Sequence, residues 1–304
     1  MAGFDLQTLG DIDVSGLVKD HESEFSAYMF DRITVDGEFD GAVNGSIRRV
    51  ESPIGMFSDG GRDAKHAPGA PTPKGEIAMG SVTCALEPYS WAESINHLAR
   101  KEAERIPDLI SKMGRAGGHM VMGSLDKEAA RILGGGGAAA TSDNLDVYTA
   151  GAAWDVIATD ARADLEEMVD KLRGGSQGLK FITGWDVLRD LSKNTSMIND
   201  TQKKSLSMEA LFDELRGIGI EEVVADYVVS QDGARTAPRN YKGLFNGLAA
   251  LTTGSNLLRA DLGPLAYDVY YDDDTRTWFF RAARDADLVR GYAGHTLRVS
   301  GNKT

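Results

Sequence analysis

Gly174-Gly175-Ser176-Gln177-Gly178 matches the G-x-S-x-G pattern of serine hydrolases, in which a serine hydroxyl attacks a carbonyl. That serine must sit on a sharp turn with a strand before it and a helix after it. Here a helical pattern precedes and a strand pattern follows, so the stretch reads as a helix-to-strand turn. Gly134 to Ala139 fits a relaxed dinucleotide-binding pattern, G-x-G-x-x-A. It follows a helical pattern instead of a strand, and no Lys-Ser/Thr pair follows, so it reads as a linker and not as a phosphate cradle. Asp272-Asp273-Asp274 offers three carboxylates to a hard cation, but their spacing fits no calcium loop and aspartate is a common turn residue. His21, His66, His97, His119 and His295 share no ligand spacing. Cys84, the only cysteine, lies in a strand pattern and reads as a small apolar filler. These readings give no catalytic, cofactor or metal site and no enzyme; a serine hydrolase using Ser176 is the enzymatic alternative.

A different kind of chemistry is carried by charge. Lys65 and Lys74 flank a proline- and glycine-rich tip, Ser52 to Pro73. The helical pattern from Trp154 to Leu172 has an acidic side: Asp155, Asp160, Asp164, Glu166 and Glu167. Solvated charge explains both sets. The functional alternative is contact between copies of the chain, with Lys65, Lys74, Asp164, Glu166 and Glu167 as candidate inter-subunit residues.

The elements that would position these groups follow from periodicity. Residues 1–30 carry few signals, with a short helix around Glu22 to Phe30. Ile33 to Val50 has strand character broken by Gly37, Gly41 and Gly45, and Asn44-Gly45 is a turn signal. Ile77, Met79, Val82, Cys84 and Leu86 form a loose two-residue period, a half-buried strand. From Trp91 the period changes: Ile95, Leu98, Glu102, Ile106, Leu109, Ile110 and Met113, with Glu102 the only polar entry, predict a long helix, bent at Pro107 and ended or interrupted by Gly114, Gly117 and Gly118. A second helical piece is expected from Leu125 to Leu133, with Ser124 as its cap. Beyond the Gly/Ala linker come a helix ending at Leu172, a strand at Leu179 to Thr183, and a helix opening at Trp185. Then come a helix capped by Ser207 and ending before Gly217, a strand at Val223 to Val229, a hairpin turned at Asp272 to Asp274, and closing strands within Leu288 to Val299.

Composition narrows the class. The chain has 304 residues, 42 % hydrophobic and 26 % charged, with net charge −13. A core is affordable at this length. The acidic balance argues against a dedicated nucleic-acid binder, which needs a basic stripe. It does not exclude a container whose wall grips its contents loosely. No run of about 18 apolar residues occurs, so no membrane span is expected. The N-terminus lacks a basic-then-apolar segment, so no signal peptide is expected. A lone cysteine points to a reducing compartment.

The order of parts now carries more than any motif. Ala67-Pro68-Gly69-Ala70-Pro71 before the Glu76 to Glu87 strand resembles the extended loop of the major capsid proteins of tailed phages, the Hong Kong 97-like fold. Trp91 into Ile110 resembles the spine helix of that family. Leu179 to Leu188 resembles the strand and helix of its axial domain, and Leu288 to Val299 its closing peripheral strands. The resemblance implies an α+β fold with an N-terminal arm (1–32), an extended loop (33–90), a peripheral domain with the spine helix (91–145 and 255–304) and an axial domain (146–254). It further implies a homo-oligomer of pentamers and hexamers, an icosahedral virion shell enclosing double-stranded DNA. Portal and scaffold proteins are implied as partners, with a decoration protein as a further possible partner, and assembly in the host cytoplasm. No helical, charged scaffold segment leads the chain, so a separate scaffold protein is expected. The alternative within self-assembly is an encapsulin-like compartment shell.

Overall fold

The computed structural model describes residues 28–37, 39–41, 44–50, 79–96, 109–134, 146–172, 178–198, 205–225, 228–229, 235–236, 245–254, 256–272, 274–275, 277–290 and 295–303. The chain enters through a short helix, α1 (Met29–Ile33), which buries Met29, Phe30 and Ile33. Strands β1 (Val35–Asp36), β2 (Phe39–Gly41) and β3 (Asn44–Val50) follow. β3 pairs antiparallel with β4 (Met79–Ala85), from Asn44 opposite Ala85 to Val50 opposite Met79. With β2 on its other edge, this makes a three-stranded finger. Residues 51–78 connect the far ends of β3 and β4 and lie outside the described residues, as do both lysines, Lys65 and Lys74.

The helix expected from Trp91 begins later. Glu87–Asn96 is a strand, β5. The long helix, α2, is Leu109–Leu133; Pro107 lies outside the described residues. One physical effect accounts for the shift. A long partner strand offers β5 ten ladder positions, from Glu87 to Asn96, and such pairing overrides a marginal helical period. The glycines do not end α2 either. A Cβ on Gly117 would meet the Ala282 Cβ at 3.2 Å, so this glycine lets the helix lie close on the sheet. Ser124 is also internal: its hydroxyl donates to the Met120 carbonyl one turn back, at 2.9 Å.

The second half opens with β6 (Asp146–Thr149) and α3 (Ala161–Leu172). β7 (Leu179–Thr183), α4 (Trp185–Leu191) and a 3₁₀ turn (Thr195–Met197) follow. α5 (Met208–Ile218) starts where its cap was expected, the Ser207 hydroxyl accepting the Ala210 amide at 3.2 Å. It ends at Gly219, not Gly217, because Gly219 takes the left-handed conformation at φ 112°. Next are β8 (Glu222–Ala225), a small β9–β10 pair (Val228–Val229, Arg235–Thr236) and β11 (Ala249–Thr253). β12 (Leu257–Asp261), β13 (Ala266–Asp272), β14 (Thr277–Arg290) and β15 (Thr296–Ser300) close the described chain.

Two sheets organise the core. In the first, the 14-residue β14 pairs with β12 and β13 and, separately, with β5; β1 adds in parallel to β12. α2 packs on the β14 face that buries Ala282, Ala286 and Leu288. In the second, the order is β6-β15-β11-β7-β8. β15 was expected among the peripheral strands; it pairs instead with β11 and β6. This sheet is buried on both faces, as its near-continuous apolar strands require. Phe181 faces a core closed by α3, α4 and α5, while Ile182, Val224 and Ala250 face α1 and α2. A smaller cluster of Ile47, Cys84, Leu86, Ala260 and Val289 ties the base of the finger to the first sheet.

Candidate inter-subunit surfaces

The finger leaves the body at β4. There the Ala85 amide donates to the Asp287 carboxylate at 3.2 Å. Burial pushes the Asp287 carboxyl up to about 6, against the pull of the Ala85 and Leu288 amides. Beyond this base, Ser81 and Thr83 are exposed. A narrow antiparallel ribbon cannot be stable far from a supporting surface.

α1 is strapped across the molecule. Asp126 of α2 accepts the Phe30 and Met29 amides at its start. Arg32 donates to the Ala225 carbonyl of β8 at 3.1 Å. Asp31 shares Arg284 with Asp261, both contacts at 2.9 Å, and also pairs with Arg259. Arg284 is 4 % exposed at its side chain and lies over the Phe30 ring, 5.4 Å from its centroid. The Tyr28 hydroxyl hydrogen-bonds the His119 ring. The first described residues of the arm therefore dock on their own chain.

The acidic helix face divides in two. Glu166 and Glu167 are exposed on α3: Glu166 pairs with Arg162 and Glu167 with Lys171, each at 2.9 Å. Asp164 is not on that surface. It is buried, and accepts from the Trp154 indole at 2.8 Å, the Tyr148 hydroxyl at 3.0 Å and the Gly151 amide at 3.1 Å. It is a structural acceptor, because a buried Trp N–H and Tyr O–H each need one. Trp154 and Ile157, expected on the inner helix face, precede α3. Asp160 caps that helix through the Ala163 amide, which leaves Val156 and Ile157 exposed in the preceding loop.

Ser176 lies outside the described residues. Cys84 is buried, and burial raises its thiol above the ordinary value. The Asp272 carboxylate turns its own hairpin, accepting from the Asp274 amide and the Thr275 hydroxyl. Among the described residues no helix is long and apolar enough to cross a membrane. Among the described residues, the exposed large apolar side chains are Val35, Trp91, Val147, Val156, Ile157, Leu262 and Tyr270.

No protein-family model matches this chain, and no curated protein sequence does. Solved structures match over most of its length. A phage-related protein from Bordetella bronchiseptica RB50 superposes with a TM-score of 0.63 at 13 % identity, covering 91 % of this chain and 92 % of its own. The mature capsid of bacteriophage PhiM1 gives 0.52 at 14 % identity, covering 90 % and 86 %. The chain has a phage capsid fold. A virus-like particle from Pyrococcus furiosus shares that capsid fold, with a TM-score of 0.58 at 8 % identity over 95 % of this chain and 100 % of its own. The strands β2, β3 and β4 fall within residues 33–90, and α2 is the longest helix among the described residues.

Proposed function

We propose that this chain is the major capsid protein of a tailed phage. It self-assembles through pentamers and hexamers into an icosahedral head around double-stranded DNA. The observation that carries the reading is the finger. Among the described residues, β2, β3 and β4 form a thin ribbon tied to the body around Ile47, Cys84 and Ala85, and such a ribbon gains stability when laid on an adjacent subunit. Many modest contacts then add through multivalency. The acidic balance, net −13, suits a wall that contains nucleic acid without gripping it.

Portal and scaffold proteins, and in some heads a decoration protein, are the partners of this reading. The virion is its location, after assembly in the host cytoplasm. Glu166 and Glu167 remain candidate contacts, facing Lys65 or Lys74 of a neighbour. The chain works by assembly and not by catalysis. The match to a virus-like particle over nearly the whole chain favours one second reading, an encapsulin-like compartment. Size-exclusion chromatography followed by nuclease treatment tests both. Large particles holding nuclease-resistant DNA support the head, and large particles without DNA support the compartment. A compact monomer with esterase activity overturns both.

A further inference from the structure

The segment between β6 and α3 carries an apolar tip whose carbonyls at Trp154, Val156 and Ile157 all accept hydrogen bonds from within the chain. Val156 is 46 % and Ile157 57 % exposed, and Ala158 beside them is exposed too. Beneath the tip lies Asn194, completely buried. Its side-chain amide donates to the Trp154 and Val156 carbonyls, both at 3.4 Å, and to the Thr159 hydroxyl at 3.0 Å. The Ile157 carbonyl accepts from the Thr195 amide at 2.8 Å and from the Thr195 hydroxyl at 2.9 Å. Trp154 anchors the near end, its amide on the Asn302 carbonyl and its indole on Asp164.

Such a loop pays little ordering entropy on association, since its shape is set beforehand. Covering it strands no carbonyl at Trp154, Val156 or Ile157. Two adjacent β-branched side chains have few rotamers to lose. The flanks differ in sign. Arg189 and Lys193 are exposed on the Asn194 side, and Asp160 on the α3 side, where Glu166 is exposed but already paired with Arg162. A chain of net charge −13 repels its own copies at long range, so a contact between copies needs local complementarity of this kind.

We propose that the Val156–Ile157 tip is a contact by which one copy of this chain docks on another, its cationic flank meeting the anionic flank of the neighbour. This rests on the shell reading above and names residues that carry it.

The test compares wild type with Ile157→Asp and Val156→Asp at matched concentrations. The melting temperature should change little, because both residues are about half exposed. The concentration needed for assembly should rise about tenfold or more. In parallel, Ile157→Cys carrying a benzophenone should photo-crosslink into dimers of this chain in assembled particles; the native Cys84 is buried. Variants that assemble at the wild-type concentration, or crosslinks only to a different polypeptide, overturn the contact while leaving the shell reading intact. A wild-type chain that stays monomeric overturns the shell reading, and this inference with it.

Discussion

Asp126 and Phe30 lie 96 residues apart, yet the Asp126 carboxylate accepts the Phe30 amide at 2.7 Å. With the Met29 amide at 3.2 Å, it holds the opening of α1 against the middle of α2. This pair decides whether the arm's first described residues stay on the body.

The pair predicts a pH dependence. Burial pushes the Asp126 carboxyl up to about 7; the two amides pull it down, Asp31 pushes it up and Arg32 pulls it down. A carboxyl raised in the folded state favours folding most when protonated. Its contribution is complete below the ordinary value of 3.8 and is lost as pH rises through about 7. Wild type minus Asp126→Asn, measured as urea midpoints, should decline from pH 4 to pH 8. A flat difference would contradict the assignment. Asp126→Ala removes the acceptor altogether and should cost about 2 kcal/mol.

Arg284 bridges Asp31 and Asp261 from a nearly closed site. Replacing it with Met leaves two partly buried carboxylates with less cation between them. The expected loss is about 3 kcal/mol, since stranding a buried charge costs more than the pair contributes. Asp31→Asn in the same chain should recover part of that loss. Chemical denaturation of the four variants as a double-mutant cycle measures the coupling.

The base of the finger should loosen separately from the body. Ile47 is 1 % exposed and packs in the small cluster with Cys84 and Leu86. Ile47→Ala should cost about 2–4 kcal/mol locally. Hydrogen exchange should speed up in β3 and β4 while the amides of β7 and β11 stay protected. Equal loss of protection everywhere would mean that finger and body unfold together.

Much of this architecture was legible because turns and strands announce themselves locally. The finger's strands, the Ser207 cap and the Asp272 hairpin all follow from residue types at short range. The register of the long helix was not, because its limits are set by β14, far along the chain. Tyr89, Trp91 and Ile95 also sit on a two-residue spacing, interrupted by Glu93, and only a partner strand decides between that period and the helical one. Gly117 looked like a helix end, but it serves the approach to Ala282. Asp164 looked like surface charge until Tyr148 and Trp154, which need an acceptor, were brought to it. Asp160 ahead of Ala163 was the available signal that α3 starts late and that Ile157 falls outside it.

Removing the tip should separate folding from assembly. A chain lacking Ser52 to Pro73, joined by a short linker, should remain soluble with an unchanged circular dichroism spectrum. It should form no closed particles, because the finger's far end would have no length to reach a neighbour. Normal particles from this deletion would show that the tip is dispensable.

Electron microscopy of the purified full-length protein tests the central claim most directly. Closed icosahedral shells, or rings of five and six subunits, with each finger lying on an adjacent copy, are the predicted result. Single compact particles with the finger folded back on its own body would contradict it.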